Sequence, residues 1–394
     1  MPERSPPARR PRAVRKRRAR LLAMARLGVS MMLHNRLKLA GTLSGVVLAV
    51  VLGVQQLSIL LGLLHKNTML VENAKADLWI LPAGTQMLQA GGRLADSVLQ
   101  RARATAGVMA AEPLLYGSVT LRKATGGTEP VTLIGTSLPG GLGGPWNLVA
   151  GSARALAQPD TVIVEDSERE RYGGLNLGSE LELNGYQVRV GGFTWGLLPY
   201  GPAYAFTEID VARAIQKIPS DRMNFVLVAL DDRAQLASVE RALKERLPEV
   251  TVLSKREFSK SIVDQLLKQQ LGMSFGISTL FGVSVGLMIV ALSMFSSVVE
   301  RLREFGTLKA IGCTGFDLAA LLVTQSVVYA AFGSLVGLAL IGRFCEAIRG
   351  PRLVPIIPNF IYAVVPGVMV LLCILAAGLA VRRVVKLEPG RVFQ

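Results

Sequence analysis

The sequence predicts an α-helical membrane protein with four transmembrane helices and a large α+β periplasmic domain between the first and second helices. The first observation is apolar patterning. Four stretches carry no charged residue: Leu39–Leu64, Leu271–Val299, Leu318–Gly342 and Phe360–Val381. At ~1.5 Å per residue each is about 33 Å or longer, enough to cross a ~30 Å hydrocarbon core with some tilt. A charged residue at a span centre costs about 2.5–3.5 kcal/mol, so four runs without one are informative.

The second observation is charge asymmetry. Residues 1–38 hold twelve Lys/Arg against Glu3, whereas residues 65–270 hold 22 basic and 22 acidic residues. After Val381 come Arg382, Arg383, Lys386 and Arg391 against Glu388. Basic flanks stay on the cytoplasmic side, so both termini are expected inside an inner membrane. Most of the net charge of +16 lies in these flanks, and anionic lipid is its expected partner. The Arg-rich start is followed by no nucleic-acid-binding module, so nucleic acid is not expected.

The third observation lies within residues 65–270, where two βαβ-like units flank a β-rich insert. Ala76–Leu81, Leu94–Ala104 and Ala110–Val119 read as strand, helix and strand. Phe225–Leu230, a helix capped by Asp232 and running to Leu247, and Val250–Leu253 repeat the pattern. Within the insert, Ser179–Leu183 and Tyr186–Val190 around Asn184-Gly185 form the strongest hairpin signal. His65–Asp77 and Lys255–Gln270 read as stalk helices, the second with Phe258, Ile262, Val263, Leu266 and Leu267 at helical spacing.

The remaining organisation follows. A Pro/Arg-rich tail over 1–20 is expected to be disordered. An amphipathic helix beginning near residue 20 leads into the first span, the two covering 21–64. The periplasmic domain, 65–270, precedes a second span at 271–299 and a cytoplasmic segment at 300–317. A third span at 318–342, a short periplasmic loop at 343–359, a fourth span at 360–381 and a cytoplasmic tail at 382–394 complete the chain. Arg9-Arg10 is not read as a removable signal, because the first apolar run starts far downstream and lacks a small-residue cleavage site. Cys313, Cys345 and Cys373 all lie outside the large domain, which is therefore expected to fold without disulfides.

The motifs of catalysis are missing from the sequence. There is no P-loop, no HExxH and no paired CxxC. The two histidines, His34 and His65, sit beside membrane boundaries and read as interfacial polar residues. Glu165, Asp166, Glu168 and Glu170 alternate with Arg169 and Arg171, which reads as a solvated helix face rather than a cation site. No catalytic, cofactor-binding or metal-binding residue is assigned. The spans lack ionisable groups, which argues against a proton relay or ion channel. Their polar residues, Gln55, Gln56 and Gln325, are expected in interhelical hydrogen bonds, with substrate contact the alternative. Gly272/Gly276, Gly282/Gly286 and Gly333/Gly337 have the small-xxx-small spacing of close helix packing.

The sharpest motif is Glu300–Gly312, ERLREFGTLKAIG, between the second and third spans. It reads as a helix leaving the membrane, a break at Gly306, and a short amphipathic turn ending at Gly312. Phe305, Leu308 and Ile311 recur at i, i+3, i+6 as an apolar stripe, with Arg303 and Lys309 at its rim. Such a knob suits a groove on a cytosolic protein.

Arg303-Glu304-Phe305-Gly306 followed by Leu308-Lys309-Ala310-Ile311-Gly312 resembles the coupling segment of MacB/FtsX-type ABC transporter permeases. The order of one span, a large domain and three spans is similar too. Asn35-Arg36-Leu37-Lys38 and the run Val51–Leu57 resemble the DevC-type branch most. Cys313-Thr314 departs from the family's usual Ala-Ser at this point, keeping the small size. The resemblance implies a non-catalytic permease that homodimerises and binds two copies of a separate ATPase subunit carrying ATP and Mg2+. It implies export or extraction of a lipophilic substrate, together with a periplasmic adaptor and an outer-membrane channel. The alternatives are an FtsX-like regulator of a cell-wall hydrolase and a membrane-tethered enzyme or sensor.

Overall fold

The computed structural model describes residues 12–34, 36–89, 91–123, 126–137, 141–268, 270–300 and 302–385. The fold divides into two compact units. One is helical and takes in the chain up to Ile59, Ser274–Ile348 and the chain from Pro355. The other comprises Leu60–Met273 together with Arg349–Val354.

The helical unit begins with α1, Arg12–His34, followed by α2, Arg36–Asn73, whose part from Leu60 onward belongs to the other unit. The expectation of disorder over 1–20 fails for residues 12–20. The last proline of the tail is Pro11, and Ala, Arg, Lys and Leu beyond it are good helix formers. Residues 1–11 lie outside the described residues. The other long helices are α7, Gln270–Glu300; α9, Gly315–Ile348; and α10, Ile361–Val385. Among the described residues, three helical segments are long and apolar enough to cross a membrane: Arg36–Asn73, Gly272–Ser293 and Gly315–Ile348. The fourth apolar segment, Ile361–Ala376, is shorter. Within this unit α1 packs on α9. Their core joins Met32 of α1, Val46 and Val50 of α2, Leu318, Leu321 and Leu322 of α9, and Met369 and Cys373 of α10.

The second unit is built on a twisted sheet. Its strands are β1 Leu78–Pro82, β2 Leu94–Ala95, β3 Val108–Arg122, β4 Thr128–Thr136, β5 Leu148–Gly151 and β6 Thr161–Glu165. They continue with β7 Glu180–Leu183, β8 Tyr186–Thr194, β9 Tyr204–Glu208, β10 Arg222–Met223, β11 Phe225–Leu230 and β12 Val250–Ser254. Helices α3 Asp96–Arg103, α4 Ile209–Gln216, α5 Leu236–Arg246 and α6 Lys255–Lys268 complete it. The main sheet runs β12-β1-β11-β3-β4-β9-β6-β8-β5, with β7 against β3 and β8.

The two βαβ-like units interlock. β1 and β3 flank β11 and are antiparallel to it, so β1-α3-β3 is a parallel crossover with a gap. β11 fills that gap, and β1 in turn fills the gap in β11-α5-β12. This is the split βαβ arrangement. Both faces are covered, which explains why Leu78-Trp79-Ile80-Leu81 is apolar without alternation. Leu78 and Ile80 pack beneath α3, α4 and α5, whereas Trp79 and Leu81 face Leu70 of α2 and Phe258 and Ile262 of α6. Trp79 lies 5.3 Å from Phe258 and 5.9 Å from Phe225 between ring centroids. The β7–β8 hairpin turns at Asn184 (φ +50°) and Gly185 (φ +86°), the left-handed pair that an Asn-Gly turn provides.

Candidate functional site

The motif between α7 and α9 forms α8, Leu302–Ala310, and a tight turn. The helix runs through Gly306, so the expected break there is wrong. One glycine costs ~1 kcal/mol against alanine, too little to end a helix whose neighbours are Leu, Arg, Glu and Lys. Gly306 is buried within the helix. The break falls instead at Gly312, whose φ is +101°. The Gly312 amide donates to Lys309 O (3.1 Å) and the Cys313 amide to Leu308 O (3.0 Å), which is a Schellman motif. The next helix starts on a capping box. Thr314 N and Oγ1 donate to the Asp317 carboxylate at 2.9 and 2.7 Å, and Asp317 N donates back to Thr314 Oγ1 at 3.3 Å. Sequence reading passed over this pair, although Thr-x-x-Asp before an apolar run carries the signal.

The apolar stripe divides. Ile311 is 77% exposed at the turn, whereas Leu308 is half-buried against the core of the helical unit. Glu304 is exposed and Lys309 half-buried, while the side chains of Arg303 and Phe305 lie outside the described residues. Near the same end of α7, Glu300 pairs with Lys38 of α2 at 2.7 Å, and the hydroxyls of Thr42 and Ser293 meet.

The small-residue positions sort themselves by contact. A Cβ at Gly286 would strike Ala49 and one at Gly282 would press on Leu52, so α7 packs closely on α2. Gly333 and Gly337 do the same for α9 against Val46 and Val50 of α2. Gly276 faces open space, and Gly272 sits against the Leu267 carbonyl, so neither serves this packing. Buried Gln325 donates to Gly28 O of α1 at 3.0 Å, an interhelical bond, while Gln55 and Gln56 are half-buried on α2.

The acidic run 165–170 is not a solvated helix face. Glu165 ends β6 with 0% exposure, and Asp166–Glu168 form a 3-10 turn in which Glu168 is buried. Alternating signs implied exposure only on the assumption of a helix. Here the strand end and the turn after it place the Glu165 and Glu168 carboxylates inward, where each finds donors. Glu165 accepts from Ser167 Oγ (2.8 Å), Gly196 N (2.6 Å), Leu197 N (3.0 Å) and Thr194 Oγ1 (3.2 Å). Glu168 takes a two-pronged bond from Arg352, Nε at 3.1 Å and Nη2 at 2.5 Å, and a further contact from Arg171 at 3.3 Å. Lys66, 6% exposed, donates to Gly196 O (2.6 Å) and Pro351 O (2.8 Å). Neither Lys66 nor Arg352 was legible as a functional candidate, because their partners are far away in sequence.

Two family models match. The MacB-like periplasmic core domain covers residues 39–246 and the FtsX-like permease C-terminal domain covers residues 276–389. This chain belongs to the MacB/FtsX-type ABC transporter permeases. The permease is 25% identical over 330 residues to an uncharacterized ABC transporter permease of Mycobacterium tuberculosis, covering 82% of this chain and 86% of the relative. Another, from Methanocaldococcus jannaschii, is 29% identical over 126 residues, covering 30% of this chain and 31% of the relative. Solved structures similar to it include the extracellular domain of the ABC-type transporter YknZ from Gram-positive bacteria, 17% identical with TM-score 0.33, covering 45% of this chain and 98% of that one. The periplasmic region of MacB from Actinobacillus actinomycetemcomitans is 13% identical with TM-score 0.36, covering 49% and 95%.

Proposed function

We propose that this permease couples ATP hydrolysis by a separate cytosolic subunit to export or extraction of a lipophilic substrate from the periplasm or the outer leaflet of the inner membrane. The observation that carries the reading is the α8–α9 turn. Exposed Ile311 sits on a joint fixed on one side by the Schellman motif and on the other by the Thr314–Asp317 box. An apolar residue on a rigid turn is a suitable anchor for a groove on a partner, and Arg303, Glu304, Phe305, Gly306, Leu308, Lys309 and Gly312 complete the coupling segment. In this reading Phe360–Val381 is the fourth span and both termini are cytoplasmic. The permease forms a homodimer that engages two ATPase copies, which hold ATP and Mg2+. The DevC-like start supports work with a periplasmic adaptor and an outer-membrane channel.

The uncharged spans support movement of substrate outside the membrane core rather than through a channel. The decisive experiment is co-expression with a soluble P-loop subunit, followed by assays of ATP hydrolysis and of release of lipophilic molecules from proteoliposomes. ATP hydrolysis and substrate release are both expected only in the complex. Nucleotide binding by the isolated chain would overturn the division of labour, and stimulation of a cell-wall hydrolase without substrate release would favour a regulator.

A further inference from the structure

Between α9 and α10 the chain makes a short connector, Arg349–Val354, that belongs to the α+β unit. It is closed by a turn in which Gly350 N donates to Leu353 O at 2.9 Å. The connector offers two groups to that unit, the Pro351 carbonyl to Lys66 and the Arg352 guanidinium to Glu168. The receiving surface is built. Buried Glu165 gathers the amides of Gly196 and Leu197, which sets the Gly196 carbonyl that Lys66 also holds.

We propose that this connector is a releasable clasp, with Lys66, Glu168 and Arg352 as its positioning residues. Release is argued from what stays behind. Removing one partner of a buried ion pair is costly when the other is left alone. Here neither receptor charge would be left alone. Glu168 keeps Arg171 at 3.3 Å, and Lys66 keeps the Gly196 carbonyl at 2.6 Å. The departing Arg352 side chain is already 55% exposed, so little desolvation opposes either docking or departure. The connector joins the ends of α9 and α10 in the chain, so its state reports to the α+β unit on those two helices. That last step rests on the permease reading above; the clasp itself rests on geometry.

The test is amide hydrogen exchange on the full chain in lipid nanodiscs. In the wild type, connector amides are expected to exchange about 100-fold faster than those of β1 and β11, which marks local opening below global unfolding. Exchange of the connector at the rate of the sheet would overturn release. Arg352→Ala is expected to speed connector exchange about tenfold, with β1 and β11 unchanged. Arg352→Lys, which keeps the charge but loses the fork, should give a smaller rise, and it replaces the alanine variant if that one disturbs the sheet. An unchanged connector rate in these variants would overturn the clasp. In the complex with its ATPase, ATP and Mg2+ should alter connector exchange in the wild type. No change while hydrolysis proceeds would overturn its link to the cycle, whereas failure of any ATPase to bind counts against the permease reading and leaves the first two measurements decisive for the clasp.

Discussion

Asp317 closes the start of α9 on Thr314, its carboxylate accepting from both the amide (2.9 Å) and the hydroxyl (2.7 Å) of that residue. Removing a cap of this kind costs about 0.5–2 kcal/mol. Asp317→Ala and Thr314→Val are therefore expected to lower thermal stability in detergent by a few degrees and to loosen the α8–α9 joint. ATP hydrolysed per substrate released should rise. Wild-type coupling in both variants would show that the joint need not be rigid.

Ile311 and Leu308 separate binding from folding. Ile311→Ala should weaken ATPase association about tenfold or more, the loss of an exposed apolar anchor, with little change in stability. Leu308→Ala should act mainly through the half-buried packing it loses, about 1–2 kcal/mol in unfolding measurements. Thr307→Asp, on the exposed polar side, is the control. Equal affinity of all three variants in pull-down titrations would remove the segment from the interface.

Gly286 and Gly333 let α7 and α9 approach α2. Leucine at either should overpack the contact with Ala49 or Val46, by about 1–3 kcal/mol, and reduce the yield of monodisperse protein. Gly276→Leu, which faces open space, should be tolerated. Size-exclusion profiles of the three variants decide it.

Orientation is tested by thiol labelling in a background with Cys313, Cys345 and Cys373 replaced. Leu177→Cys, at an exposed position of the α+β domain, should react with an impermeant maleimide in spheroplasts. Thr307→Cys should react only after the membrane is opened. Labelling of residue 307 in sealed spheroplasts would reverse the assignment of sides.

Glu257 carries a pH dependence of known sign. Ser254 donates to its carboxylate from Oγ (2.7 Å) and N (2.9 Å), and these bonds lower its pKa from the ordinary value. A carboxylate with a lowered folded-state pKa adds stability above its unfolded value, and this is lost as pH falls through the folded one. The start of α6 should therefore loosen on acidification below about pH 4.5, near an unperturbed glutamate's pKa. Glu257→Gln should flatten that part of the stability profile. An identical acid profile in the variant would mean that the Ser254–Glu257 bonds contribute nothing measurable.

The sequence by itself determined whatever depends on neighbouring residues. Hydropathy located the apolar helices, because transfer free energy accumulates along a contiguous run. Asn184-Gly185 located the hairpin, because left-handed backbone is a local requirement. The tertiary structure decided what depends on distant partners. The interleaving of β1, β11, β3 and β12 sets which residues meet across the sheet, and strand order is not encoded in any single segment. Glu168 read as exposed because its local charges alternate, yet its partner Arg352 lies 184 residues away. Gly306 read as a break because glycine is a weak helix former, but the helix runs through it and the turn falls at Gly312. Local propensities of ~1 kcal/mol per residue yield to burial and long-range charge pairing, and these are specified only once the chain has folded.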